Sequence, residues 1–80
     1  MKILFYGRLA DAIGRQIDVD VEGSCTVAAL RDRLARDYTG AAATLLSGHS
    51  RAVVDGALLN EDQVVGGGTT VEFLPPVSGG

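Results

Sequence analysis

The chain has 80 residues, of which 46% are hydrophobic and 21% charged, and its formal net charge is −3. A chain of this length predicts one domain with a modest core and no deep pocket of its own, which argues against a self-sufficient enzyme. The acidic balance and the lack of a basic run in the sequence exclude a nucleic-acid surface.

The cysteine content and the lengths of the apolar runs indicate the cellular compartment of the protein. Cys25 is the one cysteine, so no internal disulfide can form, as is usual in a reducing compartment. The sequence also shows no signal-peptide pattern, and no apolar run approaches the roughly 18 residues of a membrane span. We therefore expect a cytoplasmic protein with no membrane partner.

The first half of the chain predicts two strands and one helix. Residues 2–6 are apolar and β-prone, which indicates a strand buried on both faces or nearly so. Residues 16–21 alternate between apolar and polar, which predicts a half-buried strand in an antiparallel hairpin with the first. Thr26 is the expected N-cap of a helix that runs to about Tyr38. Its core stripe is Val27, Leu30, Leu34 and Tyr38, and Arg31 is assigned to the charged side with its neighbours.

The second half predicts three strands. Residues 51–54 form one strand, and Asp55-Gly56 is a strong hairpin signal that returns the chain through a short second strand. Leu58 and Leu59 are adjacent on that strand, so one of them should be exposed. Residues 69–74 form the last strand. The sum is an α+β fold, with a mixed sheet of about five strands packed on one main helix.

Few side chains in the sequence are candidates for catalysis or for metal binding. Cys25 precedes the helix, but no His or second Cys accompanies it in sequence, so a small, partly buried side chain is the expectation. Asp18 and Asp20 read as a solvated strand face rather than a metal site. His49 has no ligand partners in sequence. We expect no metal site.

The last six residues form the most distinctive stretch. Pro75 and Pro76 cannot continue the strand and form a stiff stem, Val77 and Ser78 follow, and the chain ends in Gly79 and Gly80. A di-glycine end is thin enough for a narrow channel, and its only reactive group is the Gly80 carboxylate. A functional tail at residues 75–80 behind a domain at 1–74 and an idle, frayed end both stay open on these residues alone.

The full chain resembles the ubiquitin-like β-grasp proteins and, more narrowly, the small sulfur-carrier subunits of molybdopterin synthase (the MoaD family). The opening residues 2–9, the helix start at 26–31 and above all the tail Phe73-Leu74-Pro75-Pro76-Val77-Ser78-Gly79-Gly80 carry the resemblance. The chain departs from the family pattern at Ala10, at Asp55-Gly56 and at the three glycines 66–68. These departures lie in loops and put partner affinity in question more than chemistry.

The resemblance implies a function in molybdenum cofactor biosynthesis. An adenylating enzyme (MoeB-like) would use ATP to activate Gly80, sulfur would then give a thiocarboxylate, and a large catalytic subunit (MoaE-like) would take the sulfur for cyclic pyranopterin monophosphate. The chain itself would bind no cofactor and would be a sulfur-donor subunit without its own active site. The implied site residues are Gly80 and Gly79 for the chemistry and Tyr6, Leu58, Leu74, Pro75, Pro76, Val77 and Ser78 for partner binding.

Three rival functions remain. A sulfur carrier for another acceptor, of the thiamin thiazole type, would share the di-glycine end. A ubiquitin-like modifier would join Gly80 to lysines of target proteins. A binding module with an idle tail is the third.

Overall fold

The computed structural model describes residues 1–46 and 50–75. Its regular elements are, in chain order, β1 (Lys2–Phe5), α1 (Gly7–Ile13), β2 (Gln16–Asp18), β3 (Ser24–Thr26), α2 (Val27–Asp37), a 3₁₀ turn (Thr39–Ala41), α3 (Ala42–Leu46), β4 (Arg51–Val54), β5 (Ala57–Leu59), β6 (Val64–Gly66) and β7 (Thr70–Leu74). The predicted mixed sheet on one main helix is confirmed.

The last strand lies in the middle of the main sheet. Its strand order is β2-β1-β7-β4-β5, in which β1 and β7 are parallel and the other pairs are antiparallel. Phe5 is the register partner of Phe73, and the two rings stack with centroids 5.9 Å apart. With Ile3 and Val71, they form the sheet side of the core. The pairing of β1 with β7 therefore places the first and the last strand in the same apolar layer.

Helix α2 supplies the other side of the core. Its predicted N-cap is confirmed, because the Thr26 hydroxyl accepts a hydrogen bond of 3.1 Å from the Ala29 amide. Val27, Leu30 and Leu34 are buried as the apolar stripe predicted. The helix thus covers one face of the sheet and leaves the opposite face uncovered by any described helix.

Several local predictions were wrong in detail. The first strand is buried on one face only, since Leu4 is half-buried while Ile3 and Phe5 are buried. The second strand ends at Asp18. Residues 7–13 form a helix rather than a single turn, and a two-stranded sheet of β3 and β6 was not predicted. The Asp55-Gly56 hairpin is confirmed, with φ of 51° and 80°.

Arg31 is the main correction to the helix, because it is buried rather than solvated. It donates to both carboxylate oxygens of Glu61 at 2.8 and 2.9 Å, to the Leu45 carbonyl at 2.7 Å, and to the hydroxyl and carbonyl of Ser50 at 2.5 and 3.1 Å. These bonds occupy all five of its N–H donors. The guanidinium carbon also lies 5.3 Å from the centre of the Phe73 ring, within cation–π range. One side chain therefore connects α2, the end of α3, the start of β4 and the last strand.

We expect Arg31→Ala to lower the free energy of unfolding by about 3 kcal/mol, because the hydroxyl of buried Ser50 and two carbonyls lose their donor. Glu61→Gln should cost less than about 1 kcal/mol, since the Glu61 side chain is 53% exposed. Urea unfolding of the two variants checks this order. Equal losses of unfolding free energy in the two variants would show that the ion pair with Glu61 provides the stability, and not the buried hydrogen bonds to Leu45 and Ser50.

Gly67 lies against the backbone of a neighbouring loop. A Cβ added there would come within 2.6 Å of the Val21 carbonyl oxygen, and the Gly67 amide donates to the Gly23 carbonyl at 2.8 Å. A Cβ on adjacent Gly68 would meet no atom within 4 Å. The glycine run is therefore more than a loose turn, because one of its members permits a close backbone approach.

Gly67→Ala should destabilise the fold by about 1–3 kcal/mol, because the backbone it meets must move. Gly68→Ala is the matched control and should be neutral or stabilise by up to about 1 kcal/mol through the unfolded chain. Thermal unfolding of both proteins tests the difference. A Gly67→Ala protein as stable as the control would contradict the close packing against Val21.

Candidate functional site

The chain leaves the sheet between two other strands. Leu74, the last residue of β7, has Arg51 of β4 as its register partner, and parallel pairing brings the end of β1 beside it. Pro75 then passes Gly7 so closely that a Cβ on Gly7 would lie 3.5 Å from the proline Cγ. Gly7 has φ of 60°, a conformation that glycine adopts without strain. We call this region, made of Gly7, Arg51, Leu74 and Pro75, the tail root.

The face of the sheet opposite α2 carries the predicted partner-binding residues of the domain. Leu4, Glu72, Val53 and Leu58 form one row across four strands, since each is the register partner of the next. Leu58 is 57% exposed, whereas Leu59 packs against the core, which confirms that one of the two adjacent leucines is exposed. We call this surface the outer sheet face.

The structure places Tyr6, Leu58 and Leu74 on or beside the outer sheet face. Tyr6 follows β1 and is 41% exposed, and Leu74 is half-buried. Alternation along β7 sets Leu74 on the side opposite buried Phe73. The face thus joins three residues that lie far apart in sequence. Their role as partner contacts stays a prediction.

Glu72 belongs to this surface but was missed in the sequence. The Tyr6 hydroxyl donates a hydrogen bond of 2.6 Å to a Glu72 carboxylate oxygen. This bond, together with partial desolvation and the nearby negative charge, raises the pKa of Tyr6 above its ordinary value of 10.0. The contact connects residues 66 positions apart. A local sequence pattern could not reveal it, but it holds the aromatic ring beside the tail root.

A shallow groove of about 550 Å³ lies beside Tyr6 and Gly7 and is also lined by Ala10, Asp11 and Arg15. It contains no nucleophile–base pair. Among the described residues, no group of three or more His, Cys, Asp or Glu side chains could hold a metal ion. Cys25 lies on β3, is half-buried and packs against the hydrophobic core.

The tail residues Pro76, Val77, Ser78, Gly79 and Gly80 lie outside the described residues, as does His49. The proposed division at residue 74 and the chemical role of Gly79 and Gly80 therefore stay predictions. No helix in the described ranges is both long and apolar enough to cross a bilayer.

Comparison with known proteins gives consistent matches over nearly the whole chain. A model described as the ThiS family matches residues 3–80. The chain is 31% identical over 80 residues to the molybdopterin synthase sulfur carrier subunit of Escherichia coli K12, covering all of this chain and 99% of the relative.

Two solved structures are similar in fold. One is SAMP1 from Haloferax volcanii, with a TM-score of 0.81, 26% identity, and coverage of 99% of this chain and 97% of that chain. The other is described as the small archaeal modifier protein 1 of the same organism, with a TM-score of 0.81, 23% identity and coverage of 95% of each chain. The predicted fold is confirmed by both.

The hydrogen bond at the outer sheet face predicts a measurable titration. In a Tyr38→Phe background, ultraviolet absorbance should show Tyr6 ionising above its ordinary pKa, and Glu72→Gln should move that pKa back down. Because the folded pKa is raised, the bond stabilises the fold below the ordinary tyrosine pKa and is lost as pH rises through the folded value. An unchanged titration in Glu72→Gln would rule out the contact.

Proposed function

The chain belongs to the ThiS family, and from that premise we propose that it is the sulfur carrier of molybdenum cofactor biosynthesis, with its chemistry on the carboxylate of Gly80. The observation that carries this proposal is the full-length identity of 31% to a molybdopterin synthase sulfur carrier subunit. The family match extends through residue 80, so it includes the di-glycine end. The tail motif at residues 73–80 supports the same assignment.

The proposed reaction begins with activation of a poor electrophile. The Gly80 carboxylate attacks the α-phosphorus of ATP in the active site of an adenylating enzyme, and pyrophosphate leaves. A sulfur nucleophile then attacks the acyl carbon, AMP leaves, and a thiocarboxylate remains on Gly80. Adenylation is needed because a carboxylate oxygen is a poor leaving group until it is joined to phosphate.

The second proposed step transfers the sulfur. The thiocarboxylate enters a large catalytic subunit, where its sulfur attacks cyclic pyranopterin monophosphate, and two such deliveries supply the dithiolene sulfurs of molybdopterin. The groove beside Tyr6 supports the division of labour, since it is open rather than enclosed around a pterin or a nucleotide. The chain supplies the nucleophile, and the partners supply the active sites.

In this proposal the outer sheet face is the docking surface. Tyr6, Leu58 and Leu74 supply apolar contact area close to the tail root, and the Tyr6–Glu72 bond fixes the ring orientation before docking. Two consecutive prolines favour an extended stem, and in this proposal Val77, Ser78 and the two glycines pass into a channel. The domain thus determines where the tail enters, and the tail carries the reacting group.

A protein-modifier function is the second candidate, which the similarity to SAMP1 of Haloferax volcanii fits as well as it fits the main proposal. It uses the same activated carboxylate but transfers Gly80 to an amine instead of accepting sulfur. Sulfur transfer to another acceptor, of the thiamin thiazole type, is the nearest variant of the main proposal, given the family match. Covalent lysine conjugates in a cell extract would favour the modifier.

Intact-protein mass spectrometry tests the proposal directly. After incubation with ATP, a sulfide source and an adenylating enzyme that is active on a known carrier, the chain should gain the mass of one oxygen-to-sulfur exchange. Deletion of Gly80 should abolish the gain. Arg36→Gln, on the exposed side of α2, is the control and should retain it. A wild-type chain that shows no gain under these conditions would contradict the sulfur-carrier function.

A further inference from the structure

Three arginines lie in or beside the tail root, although they are far apart in sequence. Arg8 follows Gly7, which approaches Pro75, and Arg51 is the register partner of Leu74. Arg15 lies at the same end of the sheet, because its carbonyl accepts a hydrogen bond of 2.9 Å from the Phe5 amide and its side chain lines the groove with Tyr6 and Gly7. We call Arg8, Arg15 and Arg51 the arginine collar.

The collar is the free positive charge of this end of the molecule. All three arginines are exposed, and none forms an ion pair with any residue in the described parts of the chain. By contrast, Arg31 is paired with Glu61, and Arg33 lies 3.9 Å from Asp37 and also donates to the Asp20 carbonyl. The collar arginines thus remain available for an outside partner.

The carboxylates near the collar do not cancel it. Asp11 lines the same groove as Arg15, and Glu72 accepts a hydrogen bond from the Tyr6 hydroxyl. Glu61 lines a groove with Arg51, but its carboxylate is paired with Arg31. Asp18 and Asp55 lie at the opposite end of the sheet, where β1 begins and the β4–β5 hairpin turns. The three collar arginines therefore outnumber the unpaired carboxylates that share their grooves, although the whole chain has a net charge of −3.

The reach of the tail determines what the collar can meet. Five residues follow Pro75, and a fully extended chain of that length spans about 17 Å at most. When the tail is extended into a channel, the Gly80 carboxylate and any nucleotide joined to it lie well beyond an arginine side chain at the root. The collar then faces the protein surface around the channel entrance rather than the phosphates inside it.

On the basis of the proposed function, we propose that the arginine collar docks against a ring of Asp and Glu carboxylates around the channel entrance of the adenylating enzyme. Opposite charges at this position steer the domain so that the tail approaches the entrance first, and they raise the association rate more than the final affinity. Three unpaired arginines match a short acidic rim. They are too few to hold a nucleic acid, whose binding draws on many phosphate contacts.

Stopped-flow association with the adenylating enzyme tests the collar. The triple variant Arg8→Gln/Arg15→Gln/Arg51→Gln should associate about tenfold more slowly than the wild type at low salt, and its rate should depend less on salt concentration. Single collar variants should each slow association about two- to threefold. Two control variants each remove one positive charge, as each single collar variant does. They are Lys2→Gln, at the opposite end of the sheet, and Arg36→Gln, and both should leave the association rate within the wild-type range.

The outcomes separate this inference from the function on which it rests. If the wild-type chain gains sulfur but the triple variant associates as fast as the controls, the collar proposal is overturned and the carrier function stands. Faster association of the triple variant would show a basic entrance and also overturn it. If the wild-type chain gains no sulfur with a competent enzyme, the carrier function itself fails. Circular dichroism of the triple variant, with its exposed substitutions, should match that of the wild type.

Discussion

The saturated guanidinium of Arg31 is the interaction on which the arrangement of the domain depends. An arginine in a small core is costly to desolvate, and here that cost is offset by bonds to all five donors and by the ring of Phe73. Its partners come from separate segments, so the side chain can be satisfied only when those segments are correctly placed. The buried polar contact therefore links the helix to the strand that carries the tail root.

The two faces of the sheet divide structural and functional roles. On the helix side, Phe5 and Phe73 stack and the aliphatic side chains are buried, so substitutions there act through stability. On the outer sheet face, Leu58 and Tyr6 are exposed and contribute little to the core. A surface of this kind can change its partner contacts while the fold is kept. The central position of β7 connects both faces, since the same strand is core on one side and part of the proposed docking surface on the other.

The features that the sequence predicted well are contiguous. The Thr26 cap and the Asp55-Gly56 hairpin each lie within a few residues, and each follows from local chemistry. The strands of the β3–β6 pair have only 3 residues each, which is too few to show the alternation of apolar and polar residues that marks a strand. Residues 7–13 were similarly ambiguous, because one apolar pair fits both a helix and a packed loop.

The features that the sequence could not predict arise from long-range contacts. Arg31 looks like a solvated helix residue because a hydrophobic-periodicity pattern counts every charged side chain as polar. Its hydrogen-bond partners lie 14, 19 and 30 positions away in sequence. The bond between Glu72 and Tyr6 joins residues that are 66 positions apart and that only the pairing of β1 with β7 brings together. The collar has no sequence motif at all, since the fold alone brings residues 8, 15 and 51 to one end of the sheet.

The parallel pairing of the first and last strands has a consequence for protein synthesis. Because β7 is bonded to β1 on one side and β4 on the other, a nascent chain without its last strand has two open strand edges and no central layer. The domain can close only after nearly the whole chain has been translated. A chain terminated before β7 therefore lacks the strand that joins the two halves of the main sheet, and it remains open to proteolysis.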